Sequence, residues 1–287
     1  MPSAELNAQQ SAEPVRKAAV ITHGRVETIG DGLERLHAVA EHNGVTLLFP
    51  KEEREKHGLP PGDDDVRQAD LAVVLGGDGT MLRALDRFLE SSVPVFGVNY
   101  GRVGFLTSVS GAELESGVER AFAGDYRLLE LPTLEVEADG QRRAAINDIV
   151  LISSTHGRVV ELNWQVGGED YGKVACDGMV CATAIGSTAY NLSNGGPVLV
   201  WGIDVMAITF VAPHTLAARP LVVPRGQSLV ARNETADIPL SVLADGYPLV
   251  ELHFGQSAEV TFGEKRGLLA LLPEVTFVRR FREIFPS

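Results

Sequence analysis

An N-terminal α/β domain on a parallel, Rossmann-like sheet, followed by a mostly β C-terminal domain, is the fold class this sequence predicts. Three observations carry that expectation. From Lys17 to about Thr107, short apolar runs alternate with amphipathic segments. After about Gly111 the apolar runs become strands separated by turn residues. The length, 287 residues, leaves room for two domains. Hydrophobic residues make up 45% and charged residues 22%, the proportions of a globular chain rather than a disordered one.

In chain order, Ala18–Thr22 reads as a buried strand ending at His23-Gly24. Gly32–His42 follows as a helix with Leu33, Leu36, Val39 and Ala40 on one face. Val45–Phe49, Leu71–Leu75 and Val93–Val98 are further strands. Uninterrupted apolar strands between helices imply a parallel sheet covered on both faces. Lys51–Asp65 is charged and contains Pro60-Pro61-Gly62, so an exposed, mobile connection, a solvated loop or a loose helix without chemistry of its own, is expected there. Glu113–Ala123 reads as a helix. The strands after it are Leu131–Glu137, with a hairpin signal at Asp139-Gly140, then Ile149–Ser153, Val159–Val166, Met206–Val211, Leu221–Val223, Ser228–Ala231, Ile238–Leu243 and Ala258–Phe262. The expected division is a flexible tail over 1–16, the α/β domain over 17–126 and the β-rich domain over 127–270. Residues 271–287 form a last segment, whose Arg279-Arg280-Phe281-Arg282 the sequence does not place.

Charge excludes one class of partner. With 38 acidic and 25 basic residues the net charge is −13, which argues against nonspecific nucleic-acid binding, since that rests on lysine and arginine neutralising phosphates. A small anionic ligand is compatible, because a pocket needs only a local cationic or dipolar spot. The two cysteines, Cys176 and Cys181, are too few for a disulfide framework and have no histidine at zinc spacing. Met1–Pro14 lacks the apolar core of a signal peptide, and Val198–Pro213 is too short and broken to span a membrane. A reduced, cytoplasmic protein is expected.

Four segments are candidates for chemistry. Gly76-Gly77-Asp78-Gly79-Thr80 lies between a strand and a helix, where open α/β sheets bind ligands. Its glycines let backbone approach a phosphate, and the helix start adds free N–H donors. A carboxylate beside phosphate is repulsive, so Asp78 makes sense as the acceptor of a proton from an attacking hydroxyl, or as a group helping to hold Mg²⁺. Asp78 and Thr80 as mere helix caps are the alternative. The segment is neither a Walker A loop nor a dinucleotide GxGxxG fingerprint. Second, Asn99–Thr107 carries Gly101 and Gly104, with Arg102 as a source of positive charge, or else simply turns the chain. Third, Cys176–Pro197 is rich in small residues and hydroxyls, suited to a ligand's rings lying against backbone or to close packing of helix on sheet. Tyr190 is placed to pack against a base and Asp177 to bond a ribose hydroxyl. Fourth, Asn147-Asp148 heads a strand, as a polar site or an ordinary turn. There is no GxSxG elbow, HExxH helix or EF-hand loop, and His214 reads as structural.

Taken together these segments resemble the NAD kinase family. The resemblance rests on Gly76–Thr80, Asn99…Gly104-Phe105-Leu106-Thr107, Asn147-Asp148, Asp177-Gly178, Gly186-Ser187-Thr188-Ala189-Tyr190 with Gly195-Gly196-Pro197, and Pro213–Leu216 with Arg219-Pro220-Leu221. Gly-Gly-Asp-Gly alone is shared with diacylglycerol and sphingosine kinases and phosphofructokinases; the Gly186–Pro197 segment discriminates far better. The resemblance implies an α/β domain, a β-rich NAD-binding domain, and a chain end returning to the first. It implies phosphorylation of the 2′-hydroxyl of NAD's adenosine ribose, giving NADP, with ATP or polyphosphate as donor and Mg²⁺ or Mn²⁺ present. Carried over by position, Asp78 is the catalytic carboxylate, with Gly76, Gly77, Gly79 and Thr80 at the phosphates and Arg102 beside them. Asn147, Asp148, Asp177, Gly186, Ser187, Thr188, Ala189, Tyr190 and Asp245 are the NAD-binding set. A homodimer or homotetramer is implied. The chain departs from the pattern at Thr183-Ala184-Ile185 (usually Thr-Pro-Thr), at Asp148 (usually Glu) and at Tyr247 after Asp245-Gly246 (often Gln). Ala175, small where a polar or basic residue goes with strict NAD preference, leads to the expectation that NADH is also accepted. The rivals are a catalytically inactive NAD(P)- or nucleotide-binding sensor, signalled by Ile185 and Asp148, and a lipid or sphingoid-base kinase, which leaves 186–190 unexplained.

Overall fold

A computed structural model describes residues 13–286. The chain divides into two compact units, one holding residues up to 131 together with 267 onward, the other residues 132–266. The expected boundaries were 126/127 and 270/271. Most of the tail expected over 1–16 lies outside the described residues; Val15 is buried, and its N–H bonds to the Phe122 carbonyl at 2.8 Å.

In the first unit the chain runs β1 (Lys17–Thr22), α1 (Gly32–Asn43), β2 (Thr46–Leu48), α2 (Lys51–Lys56), β3 (Leu71–Gly76), α3 (Asp78–Phe88), β4 (Val95–Asn99), β5 (Val109–Ser110) and α4 (Leu114–Phe122). The strands are ordered β2-β1-β3-β4 and all pair parallel. β3 is buried throughout, as its unbroken apolar run requires of a sheet covered on both faces. α3 turns Met81, Ala84, Leu85 and Phe88 inward. Gly97 lets it seat, because a Cβ there would overlap the Met81 sulfur. Strand order reverses between β1 and β3. At such a switch point the connections leave in opposite directions and open a crevice at the carboxyl ends.

The second unit begins within β6 (Arg127–Ala138) and continues through β7 (Gln141–Ala145), β8 (Asp148–Ser153), β9 (Val160–Val166), β10 (Glu169–Cys176), β11 (Gly178–Ala182), α5 (Tyr190–Ser193), β12 (Val205–Val211), β13 (Leu221–Pro224), β14 (Leu229–Asn233), β15 (Leu240–Ala244) and β16 (Tyr247–Leu252). It ends within β17 (Ser257–Leu271), and α6 (Phe277–Ile284) closes the chain. A six-stranded antiparallel sheet, β13-β12-β11-β8-β15-β16, shares one core with β10-β9-β14-β17. Leu151, Met179, Ile208 and Leu240 from the first pack with Leu162, Trp164, Leu229 and Val260 from the second. Leu269 and Ala270, at the end of β17, belong to the first unit and pair parallel with β4.

Two expectations change. Lys51–Asp65 does contain a helix, α2, but it is not simply solvated, because Glu53 is only 3% exposed. The Glu53 carboxylate accepts from the Thr22 hydroxyl at 2.7 Å and from Lys56 Nζ at 2.8 Å, so a distant partner on β1 draws in a segment that looks fully charged in sequence. The small-residue run Cys176–Pro197 contains a central strand, β11, because Gly178 lets backbone close onto Leu151. Among the described residues no helix is long and apolar enough to cross a membrane.

Candidate active site

In the first unit three strand ends converge. The His23 N–H bonds to the Leu75 carbonyl at 2.8 Å, and the Tyr100 N–H to the Gly76 carbonyl at 3.0 Å, tying the loops after β1, β3 and β4 together. They line a cavity of about 430 Å³ with His23, Arg25, Thr28, Gly77, Thr80 and Arg83 on its walls. Gly77 is the N-cap of α3 and offers no side chain, so the first turn of the helix stays open to the cavity. Gly76 must be glycine, since a Cβ would strike Thr80. Arg102, expected to bring positive charge, is exposed and does not line this cavity; Arg25 and Arg83 do.

The Asp78 carboxylate is partly buried and fixed in orientation. Its Oδ2 accepts the Phe105 N–H at 2.8 Å and its Oδ1 the Leu106 N–H at 3.1 Å. Gly104 lies so close that any side chain there would overlap the carboxylate. Burial pushes the Asp78 carboxyl above the usual carboxylate range, against the two N–H donors and the Arg280 charge, which favour ionisation. A carboxylate moved that way is a stronger proton acceptor than an exposed one.

The second unit carries a separate polar cluster. Asp245, held at φ 48°, caps the start of β8: its carboxylate accepts N–H bonds from Ile146 and Asn147 at 2.7 Å and from Asp148 at 3.1 Å. The expected ligand group is therefore occupied in shaping the turn that presents Asn147 and Asp148. Asn147 also accepts the Thr183 N–H on its carbonyl at 2.9 Å. Its side-chain Oδ1 is buried with no partner, an acceptor left for a bound donor. The Asp148 carboxyl is 7% exposed and is pushed up to about 7, first by burial and then by the Asp245 charge.

The glycine and hydroxyl segment divides between scaffold and surface. Ser187 is fully buried; its hydroxyl donates to the Ala184 carbonyl at 2.7 Å and accepts the Leu199 N–H at 2.9 Å. The Thr188 hydroxyl donates to the Ile185 carbonyl at 3.1 Å. These hydroxyls stabilise the turn rather than face outward. Gly186 packs against the Asn147 carbonyl and Gly196 against the Asn191 amide. Ile185 is buried, Ala189 and Asp177 are half-buried, and Tyr190 is exposed with its ring open to stacking. Both cysteines are buried, and burial pushes the Cys176 thiol up to about 12, which removes thiolate chemistry.

The ATP-NAD kinase N-terminal domain matches residues 38–126 and the ATP-NAD kinase C-terminal domain residues 146–271. An NAD kinase of Symbiobacterium thermophilum is 33% identical over 93% of this chain and 97% of its own length. The NAD kinase of Heliobacterium modesticaldum is 38% identical over 77% of this chain and 80% of its own. The chain belongs to the NAD kinase family. Its fold is that of the NAD kinases: an Archaeoglobus fulgidus NAD kinase solved with ATP superposes with a TM-score of 0.72 at 26% identity, covering 94% of this chain and all of that one. Yeast NADH kinase solved with NADH gives a TM-score of 0.83 at 22% identity, covering 96% of this chain and 89% of that one, a likeness of fold. As an NAD kinase the chain is a phosphotransferase, and the rival lipid-kinase and sensor readings find no support among these relatives.

Four residues lining the first unit's cavity, His23, Arg25, Thr28 and Arg83, were not among the site residues expected from the sequence. A signal was present: His23-Gly24 directly follows an apolar strand, the same position relative to β1 that Gly76-Gly77 holds relative to β3.

Asp148 carries a pH prediction. Its folded value, about 7, lies above the ordinary 3.8, so the protonated form is favoured by folding. That stabilisation is complete below pH 3.8 and is lost as pH rises to about 7. The ligand-free protein is expected to lose this contribution to its melting temperature across that window, and Asp148→Asn to flatten the slope. Thermal unfolding against pH checks it; an unchanged slope in the variant refutes it.

Proposed function

We infer that the protein makes NADP by moving the γ-phosphoryl group of ATP to the 2′-hydroxyl of the adenosine ribose of NAD. The observation that carries the catalytic assignment is the Asp78 carboxylate, aimed by two N–H groups beside an open helix start. In the step, Asp78 takes the 2′-hydroxyl proton, the O2′–P bond forms, and the bond from phosphorus to the bridging oxygen of ADP breaks. Phosphoryl transfer asks mainly for positioning and charge neutralisation. The glycine-turn N–H groups, Arg25 and Arg83 supply these for the donor. For NAD, Asn147 offers its free acceptor to the adenosine, Asp148 its carboxyl, Tyr190 a face for the base, and Asp177 a ribose contact.

Mg²⁺ or Mn²⁺ belongs to this reading. Among the described residues no group of three or more His, Cys, Asp or Glu side chains stands together to hold an ion. In this reading the cation is carried on the nucleotide's phosphates, with water completing its shell. When bound, the cation neutralises charge on the phosphoryl oxygens. Polyphosphate as a second donor, NADH as a second acceptor beside the small Ala175, and a cytoplasmic homodimer or homotetramer complete the proposal on family resemblance. Light scattering reads the oligomer against the 30.8 kDa chain.

The test is NADP formation by purified protein with NAD, Mg²⁺ and ATP, repeated with polyphosphate and with NADH. NADP is expected with ATP. Binding of NAD without turnover with either donor overturns the reading.

A further inference from the structure

Four consecutive residues, Phe105–Ser108, are gripped from two directions. Phe105 and Leu106 give their N–H groups to Asp78 at 2.8 and 3.1 Å. Thr107 and Ser108 turn their carbonyls to one nitrogen, Arg280 Nη2, which donates to both. Arg280 lies on α6, whose Phe277 ring stacks on Phe105 at 6.0 Å, with Phe285 at 6.2 Å. The far end of the segment is also held: the Ser108 N–H bonds to Gly97 and its hydroxyl to Ala270. With two soft dihedrals per residue, so short a segment tied at every position has little freedom left.

The guanidinium is itself oriented. Its side chain is 12% exposed, and Nη1 donates to Glu283 at 2.9 Å. The charged groups around it are Glu283 on the same helix, Glu113 ahead of α4, and Asp78; Arg279 and Glu274 line the same cavity of about 250 Å³.

We propose that Arg280 is a positioning residue for phosphoryl transfer: it clamps the Thr107 and Ser108 carbonyls so that the Phe105 and Leu106 N–H groups hold Asp78 in its reactive orientation. This rests on Asp78 being the base. Arginine suits the task because its planar fork serves several acceptors from one rigid group, whereas lysine is a point charge on a flexible stem. Displacing a reacting group by about 1 Å costs roughly a hundredfold in rate, so a loosened segment weakens catalysis while NAD's own contacts remain.

The experiment compares Arg280→Met, Arg280→Lys and, as a control, the exposed Arg282→Gln, by single-turnover rate, KM for NAD and thermal unfolding. Arg280→Met is expected to slow the transfer about ten- to a hundredfold, with KM for NAD within about twofold. Arg280→Lys is expected to fall between that and wild type, and Arg282→Gln to match wild type. If Arg280→Met does not fold, Arg280→Lys decides: a rate loss at unchanged KM supports the clamp, and a full rate overturns it. A wild-type rate in Arg280→Met, an effect on KM alone, or equal losses in Arg282→Gln also overturn it. Absence of NADP from the wild-type protein would instead sink the proposed function, so the two failures are distinguishable.

Discussion

Asp78→Asn is expected to lower kcat by about 10²- to 10⁴-fold, the range lost with a general base, while KM for NAD changes little because the acceptor's contacts belong to other residues. The substitution keeps shape and removes the proton acceptor. It also exchanges one acceptor oxygen for an NH₂ group, which would face the N–H of Phe105 or Leu106. That mismatch costs stability, about 1–3 kcal/mol for a buried donor left unpaired. Removing the partly buried charge works in the opposite direction, since burial already raises the Asp78 carboxyl above its usual range. The two effects offset, so the melting temperature should move far less than the rate. In the wild-type enzyme the acid limb of kcat is expected above the ordinary carboxylate range, for the same reason. Steady-state kinetics over pH, alongside unfolding, checks both. Substantial activity in Asp78→Asn would show that another group takes the proton.

Gly186→Ala is expected to disrupt the second unit and with it NAD binding. An added Cβ would overlap the carbonyl oxygen and carbon of Asn147, which are backbone atoms and cannot swing aside. That carbonyl accepts the Thr183 N–H, and the same residue's N–H is held by Asp245. Retreat of Asn147 would therefore break the turn that presents Asn147 and Asp148. Overpacking of this kind costs about 1–3 kcal/mol or more, and each kcal/mol lowers the melting temperature by about 2–4 °C in domains of this size. Gly140→Asn is the control: its φ of +72° suits asparagine and nothing lies within 4 Å of the added atom. Calorimetry with a titration of NAD reads both. An unaltered melting temperature and affinity in Gly186→Ala would mean that the turn tolerates displacement.

The helices and buried strands of the first unit were legible because their signals are local. The run Leu71–Leu75 becomes β3, and the spacing of Met81, Leu85 and Phe88 becomes the inner face of α3. In the second unit β10, β11 and β16 were missed, and β7 was signalled only by the Asp139-Gly140 hairpin turn. β10 is a largely exposed strand whose polar residues blur the alternation, β16 is an edge strand carrying Pro248, and β11 hides in a run of small residues whose burial comes from its neighbours. Of the proposed site residues, Asp78 and Asn147-Asp148 were candidates from position, with a helix cap and an ordinary turn as the alternatives. Ser187 also stood out, yet its hydroxyl serves the scaffold, because a sequence of small polar residues looks the same whether the hydroxyls face a ligand or the chain itself.

By itself the sequence determined the fold class, the glycine turn after β3 with its one carboxylate, and the segments that place the chain among the NAD kinases. These depend on residues close together in the chain, where periodicity and spacing report directly. Only the tertiary structure decided which groups act on one another. Arg25 joins Arg83 at one cavity across 58 residues of chain (83 − 25), Asp245 caps a turn 97 residues before it, and Arg280 reaches a carbonyl 173 residues away. Such contacts are set by strand order and by the return of the chain end, and a side chain's partner at that separation leaves no mark on local pattern.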